Sequence, residues 1–262
     1  RDLRALKGKD FFEENSRDKI RALNTRLSPL YKAKVVYIDS TDPDEEVDEN
    51  GKVARILFYV EVCEVAEVVC DYRGYHHLTE VFNKMGVDGG GTWLKMCMNF
   101  IKVVDQLSSP SRKGRRTRSS YSDGVAPNKF KDSGVFKLIP LAFMQKAKES
   151  FDNLEIMVRA IGLHKISYSP CFDIKCGLSF MGLGAAGSTH PCMWCILSKA
   201  NFANPKFLFT GGELRTLKGI QDQAASYMHA KGRHTGARKL SSKEWYNCEH
   251  PPLFESELEE VL

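Results

Sequence analysis

Several features are missing from this sequence, and each absence narrows what the chain can be. No run of about 18 apolar residues occurs, so no membrane-spanning helix is expected. The opening residues Arg1-Asp2-Leu3-Arg4 carry charge but lack the apolar core of a secretory signal. Without such a signal, the eight cysteines do not read as a disulfide scaffold. A reducing compartment, with thiols serving as metal ligands or core residues, fits them better. No internal repeat is visible. An initiator Met is also lacking, and the chain opens inside a helical pattern and closes on an acidic, helix-like run from Glu255 to Leu262. Both ends therefore read as cuts rather than natural termini.

The 262 residues leave room for one large or two small domains, and 42% hydrophobic with 10% aromatic residues is enough for a sizeable core. The net charge of +5 is only mildly basic and does not by itself call for nucleic acid. Its distribution is more informative. Arg112, Lys113, Arg115, Arg116 and Arg118 fall in one short stretch, and Asp42, Asp44, Glu45, Glu46, Asp48 and Glu49 in another.

Residues 2–24 have helical apolar spacing. Lys34 to Ile38 and Val53 to Val60 read as strands around an acidic loop that ends in the turn dipeptide Asn50-Gly51. Val62 to Cys70 and Leu78 to Met85 read as helices. Val87 to Gly91 is a short strand entering a glycine turn, and Trp93 to Val104 returns as its hairpin partner. Residues 105–132 are polar, basic and Ser-rich, and read as a long loop. Val135 to Phe143 is a third strand, Gln145 to Ile161 a helix and Leu163 to Ser169 a fourth strand; Asp173 then caps a helix running to about Leu183. The expected fold class is α/β (α+β): a mixed sheet with flanking helices in the element order of an RNase H-like domain. The expected division is an N-terminal region over 1–80, involved in dimerisation or DNA binding, a core over 81–183, and a mostly helical CxxC-containing insertion over 184–262.

Two acids stand out. Two-metal phosphoryl transfer needs carboxylates converging on Mg²⁺ or Mn²⁺ ions, one activating the attacking water or 3′-hydroxyl and the other stabilising the leaving oxygen. Asp88 and Asp173, each at the end of a strand, are candidates for such a pair, and the glycines after Asp88 would allow a close backbone approach by metal or phosphate. By residue type alone, Asp88-Gly89 is more readily a hairpin dipeptide and Asp173 an ordinary helix cap.

Cys192 and Cys195 have the spacing of half a tetrahedral zinc site, stiffened by Pro191. Cys248, His250, His229 and His234 are candidate partners. Redox thiols and buried inert thiols are the competing readings, although nothing around the pair resembles a thioredoxin βαβ unit. Cys63, Cys70, Cys97, Cys171 and Cys176 lie in apolar periodic segments and read as core. The basic stretch Arg112, Lys113, Arg115, Arg116 and Arg118 suits phosphate contact, a nuclear import signal or simply a solvated loop.

Val87-Asp88-Gly89-Gly90-Gly91, Phe172-Asp173-Ile174-Lys175, Gly182 to Ser188 and Pro191 to Cys195, in that order and spacing, resemble a family of transposon-derived recombinases. The family includes the Transib transposases and the catalytic subunit of the V(D)J recombinase. The likeness covers roughly residues 80–200. Asp173 and Cys192 are 19 positions apart, similar to the vertebrate recombinase. Pro191 to Cys195 and Gly212 to Thr216 look like segments of cnidarian and arthropod transposon proteins. The resemblance implies a DDE-type enzyme that cuts and joins DNA at transposon ends, works as a homodimer and acts in the nucleus. It implies that Asp88 and Asp173 are catalytic acids holding Mg²⁺ or Mn²⁺, and that Cys192 and Cys195 hold Zn²⁺. In the family a later Glu completes the acids and a later His pair closes the zinc site. No residue of this chain matches either, so the chain alone is expected to be inactive and to bind metal weakly. The alternative is a domesticated, non-catalytic DNA-binding zinc module.

Overall fold

The computed structural model describes residues 21–40, 42–75, 81–89, 92–104, 129–131, 138–202, 204, 212–235 and 240–253. Residues 21–27 form helix α1, which tightens into a 3-10 turn over Ser28–Leu30. Strands β1 (Lys32–Asp39) and β2 (Lys52–Tyr59) then pair antiparallel over their whole length. The turn between them closes on Asp48, whose carboxylate accepts from the amides of Asn50 and Lys52.

Helix α2 (Val62–Arg73) follows, then β3 (Val81–Asp88), β4 (Trp93–Val104), β5 (Lys129–Lys131) and β6 (Ile139–Gln145). Helix α3 (Phe151–Ile161), β7 (Ser169–Cys171) and α4 (Ile174–Phe180) complete the sheet-bearing part. The strands make one seven-stranded sheet in the order β1-β2-β6-β4-β3-β7, with β5 also paired to β4. Every neighbouring pair is antiparallel except β3 with β7. The molecule is thus a mixed α+β fold on an open, mostly antiparallel sheet.

Alternation along β4 decides which face is covered. Leu94, Met96, Met98 and Phe100 are all fully buried. They join Val65 and Val69 of α2 and Leu154, Met157 and Ile161 of α3 in one continuous core. The spacing of the buried positions in α3, Leu154, Met157, Val158 and Ile161, is that of a one-sided helix. Ile38, Val53, Leu57 and Val60 belong to the same core. One sheet therefore holds strands from both sides of residue 80, with β2 paired to β6 and α2 packed on the same core. A second cluster, Leu178, Leu183, Ile220, Ala224 and Cys248, spans the expected boundary at 183.

Several local expectations are corrected. Residues 81–85, expected to be helical, lie in β3, where hydrogen bonding to β4 on one edge and β7 on the other outweighs local propensity. Leu163 to Ser169 is not a strand. Leu163–Lys165 is a 3-10 turn, and only Ser169–Cys171 pairs with β3. Pro170 sits there without loss because, among the described residues, β7 ends the sheet order and one of its edges has no ladder to complete. The third strand starts at Ile139 and runs to Gln145, so the next helix begins only at Phe151. Among the described residues after 183, the one α-helix is α5 (Leu217–Arg233), with short 3-10 turns at Lys199–Asn201 and Ser242–Trp245. The described part of this region is more irregular than helical. Cys171 is exposed rather than core, whereas Cys70, Cys176 and Cys248 are buried.

Candidate active site and cysteine knuckle

The parallel pairing of β3 with β7 fixes the geometry of the two acids. Lys84 stands opposite Ser169, Met85 opposite Pro170 and Gly86 opposite Cys171. Asp88 lies two positions beyond Gly86 and Asp173 two positions beyond Cys171, so the two acids stand at the carboxyl ends of adjacent parallel strands. Both residues are exposed there. Asp173 caps α4, its Oδ1 accepting from the Cys176 amide at 2.7 Å. That bond orients the carboxylate and engages only one of its oxygens. On the other side of β3, Asp88 faces Lys95 of β4.

A third carboxylate, which sequence reasoning missed, touches the segment that follows each of them. Glu149, in the loop between β6 and α3, accepts from the Gly89 amide through Oε1 at 2.8 Å, and its Oε2 lies 3.4 Å from Lys175 Nζ. Its side chain is only 11% exposed. Gly89 permits this contact. A Cβ there would lie 2.5 Å from Glu149 Cγ and 2.7 Å from its Oε1. The close approach that the glycines allow is thus made, at Gly89, by a carboxylate of the same chain. The Cys176 thiol is pushed up to about 12, first by burial and then by the negative fields of Glu149 and Asp173. Burial also raises Cys97, with Lys95 opposing and Asp88 adding to the shift.

The cysteine pair forms a tight knuckle. The Trp194 amide donates to Cys192 Sγ at 3.4 Å. Residues 194–196 pair with 213–215, through Ile196 N–H to Glu213 O and Arg215 N–H to Trp194 O, each at 2.9 Å. Burial raises the Cys192 thiol, but the Trp194 and Cys195 amides, the Cys195 thiol and Arg215 outweigh it, so Cys192 titrates below its ordinary value. Burial raises Cys195, the Leu197 amide opposes, and the adjacent Cys192 adds to the rise, so its net shift is upward. The amide-to-sulfur bonds and the thiolate tendency of Cys192 suit a soft metal ion.

Arg215 holds the knuckle together. Its guanidinium donates to the carbonyls of Cys192 (2.9 Å), Cys195 (3.2 Å), His190 (3.2 Å) and Tyr246 (2.8 Å). It also reaches Cys248 Sγ at 3.5 Å. The segment Gly212 to Thr216 stood out in the sequence, but nothing in it marked the arginine as the hub.

Of the other residues weighed as zinc partners, Cys248 is buried in the second cluster and His250 stacks on Phe151 with ring centroids 4.1 Å apart. His229 and His234 are exposed, on α5 and at its end. Among the described residues, no three His, Cys, Asp or Glu side chains are grouped to hold a metal ion. Neither the cysteine pair nor the acid pair has a third such side chain grouped with it among the described residues. The basic stretch Arg112, Lys113, Arg115, Arg116 and Arg118 lies outside the described residues. No helix among the described residues is long and apolar enough to cross a membrane. Compared with protein-family models and with curated proteins, the chain matches none.

Proposed function

We propose that this chain carries part of a DNA-cutting and DNA-joining enzyme of the transposase and recombinase type, built on an RNase H-like sheet. The observation that carries this reading is the parallel β3–β7 pairing, with Asp88 and Asp173 each two positions past the last paired residues. Convergence of ligands at the carboxyl ends of parallel strands is a recurrent way to build a site. The order β6-β4-β3-β7, with a helical crossover from β6 to β7, supports the RNase H-like reading. It is also consistent with the resemblance to Transib and V(D)J recombinase proteins.

Asp88 and Asp173 would hold Mg²⁺ or Mn²⁺. When bound, the metal supplies a deprotonated water or 3′-hydroxyl and charge neutralisation at the phosphate. The chain's own contribution is placement. The cap on α4 orients Asp173, and the β3–β4 hairpin orients Asp88. The basic segment 112–118 would contact the DNA backbone through counterion release, and Cys192 and Cys195 would hold a zinc ion with ligands from elsewhere. A homodimer acting in the nucleus belongs to the same reading. The test is nicking of supercoiled plasmid in Mn²⁺ by the full-length protein. Asp88→Ala and Asp173→Ala are each expected to abolish nicking, and full nicking by either would remove these acids from the chemistry.

A further inference from the structure

Glu149 occupies a place that neither acid explains. It comes from a third element, the loop entering α3, yet it is tied to the segments bearing both acids at once. One carboxylate oxygen takes the amide of Gly89, the residue after Asp88. The other faces Lys175, two residues after Asp173 in the first turn of α4. Because Lys175 is 73% exposed, that ion pair is a weak contact. The amide bond to an ionised acceptor, shielded from solvent, is the firm one. Glu149 is not itself grouped with the two aspartates as a metal-holding cluster. Its oxygens are turned to the chain.

We propose that Glu149 is a positioning residue for the metal-holding pair, fixing the backbone after Asp88 against the start of α4 and so setting the separation of the Asp88 and Asp173 carboxylates. This rests on the reading of those two acids as metal-holding. Gly89 is part of the device, because any side chain there would displace the Glu149 carboxylate. Groups that hold a metal-binding side chain in place typically change affinity by about 10-fold or more when removed.

The test is Mn²⁺ binding to the whole chain, followed by electron paramagnetic resonance, with thermal midpoints measured in parallel. Four variants are compared with the wild type: Glu149→Ala, Glu149→Gln, Gly89→Ala and the double variant Asp88→Ala/Asp173→Ala. Glu149→Ala and Gly89→Ala are expected to weaken Mn²⁺ binding about tenfold well below their thermal midpoints. Glu149→Gln keeps an oxygen facing the Gly89 amide and is expected to recover most of that loss. If Glu149→Ala does not fold, Gly89→Ala and Glu149→Gln decide the matter. Wild-type affinity in Gly89→Ala, or in Glu149→Ala, overturns the positioning role while leaving the acid pair in place. Equal loss in Glu149→Gln and Glu149→Ala overturns it too, because charge alone would then be responsible. Equal Mn²⁺ binding by wild type and the double aspartate variant overturns the metal reading, and the positioning role with it.

Discussion

Gly182 lies so close beneath His250 that a Cβ on it would fall 2.0 Å from the His250 carbonyl oxygen. Its φ of +70° places it in the left-handed region, and its carbonyl accepts from the amides of Glu249 and His250. This contact fastens the 247–250 segment to the end of α4. Gly182→Ala is therefore expected to destabilise the protein by on the order of 2–3 kcal/mol, through strain and backbone collision together. Chemical denaturation measures it, and a loss below a few tenths of a kcal/mol would show that the segment shifts without cost.

Glu45 makes stability depend on pH in a defined direction. Its carboxylate pairs with Arg55, accepts from the Ser40 hydroxyl at 3.0 Å and lies 3.6 Å from Lys146 Nζ. The Arg55 hydrogen bond, chiefly, holds its pKa below the usual carboxylate value. A lowered folded-state value means the contribution is complete above the ordinary Glu value and disappears as pH falls through the lowered one. Glu45→Gln is expected to lower the thermal midpoint at neutral pH and to flatten its fall in acid. Identical acid profiles for wild type and variant would contradict this.

The knuckle predicts a thiol-protection pattern. Zn²⁺ added to the reduced chain is expected to slow alkylation of Cys192 and Cys195 while leaving exposed Cys171 unchanged, as read by mass spectrometry. Arg215→Ala should weaken that protection about tenfold, because the carbonyl fan that closes the knuckle is lost. Arg215→Lys should not restore it, since an ammonium cannot reproduce the planar fork. Equal alkylation of all three cysteines with and without zinc would count against a metal site here.

Much of the sheet was legible because its strands alternate or run apolar between clear turns: Asn50-Gly51 marks the β1–β2 hairpin, and the glycines after Asp88 mark the β3–β4 hairpin. Asp173 as a helix cap was legible too, since Asp is among the preferred residues there. Residues 81–85, read as the end of a helix, have no such marker, and β3 is held as a strand by its hairpin partner β4 and by β7, 85 positions away. Pairing of that range is absent from local sequence. Glu149 was hidden for a related reason. A helical reading over 145–161 placed it inside a helix, where an acid near the start is unremarkable. Its partners, Gly89 and Lys175, are separated from it by 60 and 26 positions. Arg215 was invisible because four of its five partners are backbone carbonyls, which carry no sequence signature.

The most direct test of the central claim is iron-directed cleavage mapping. Fe²⁺ takes the place of Mg²⁺ or Mn²⁺, and ascorbate with peroxide then cuts the backbone next to the bound ion. The account predicts two cleavage clusters in the same chain, one at residues 86–89 and one at 171–175, both lost in Asp88→Ala and in Asp173→Ala. Cleavage at only one of these segments, or cleavage that survives either substitution, would contradict a shared metal site at the ends of β3 and β7.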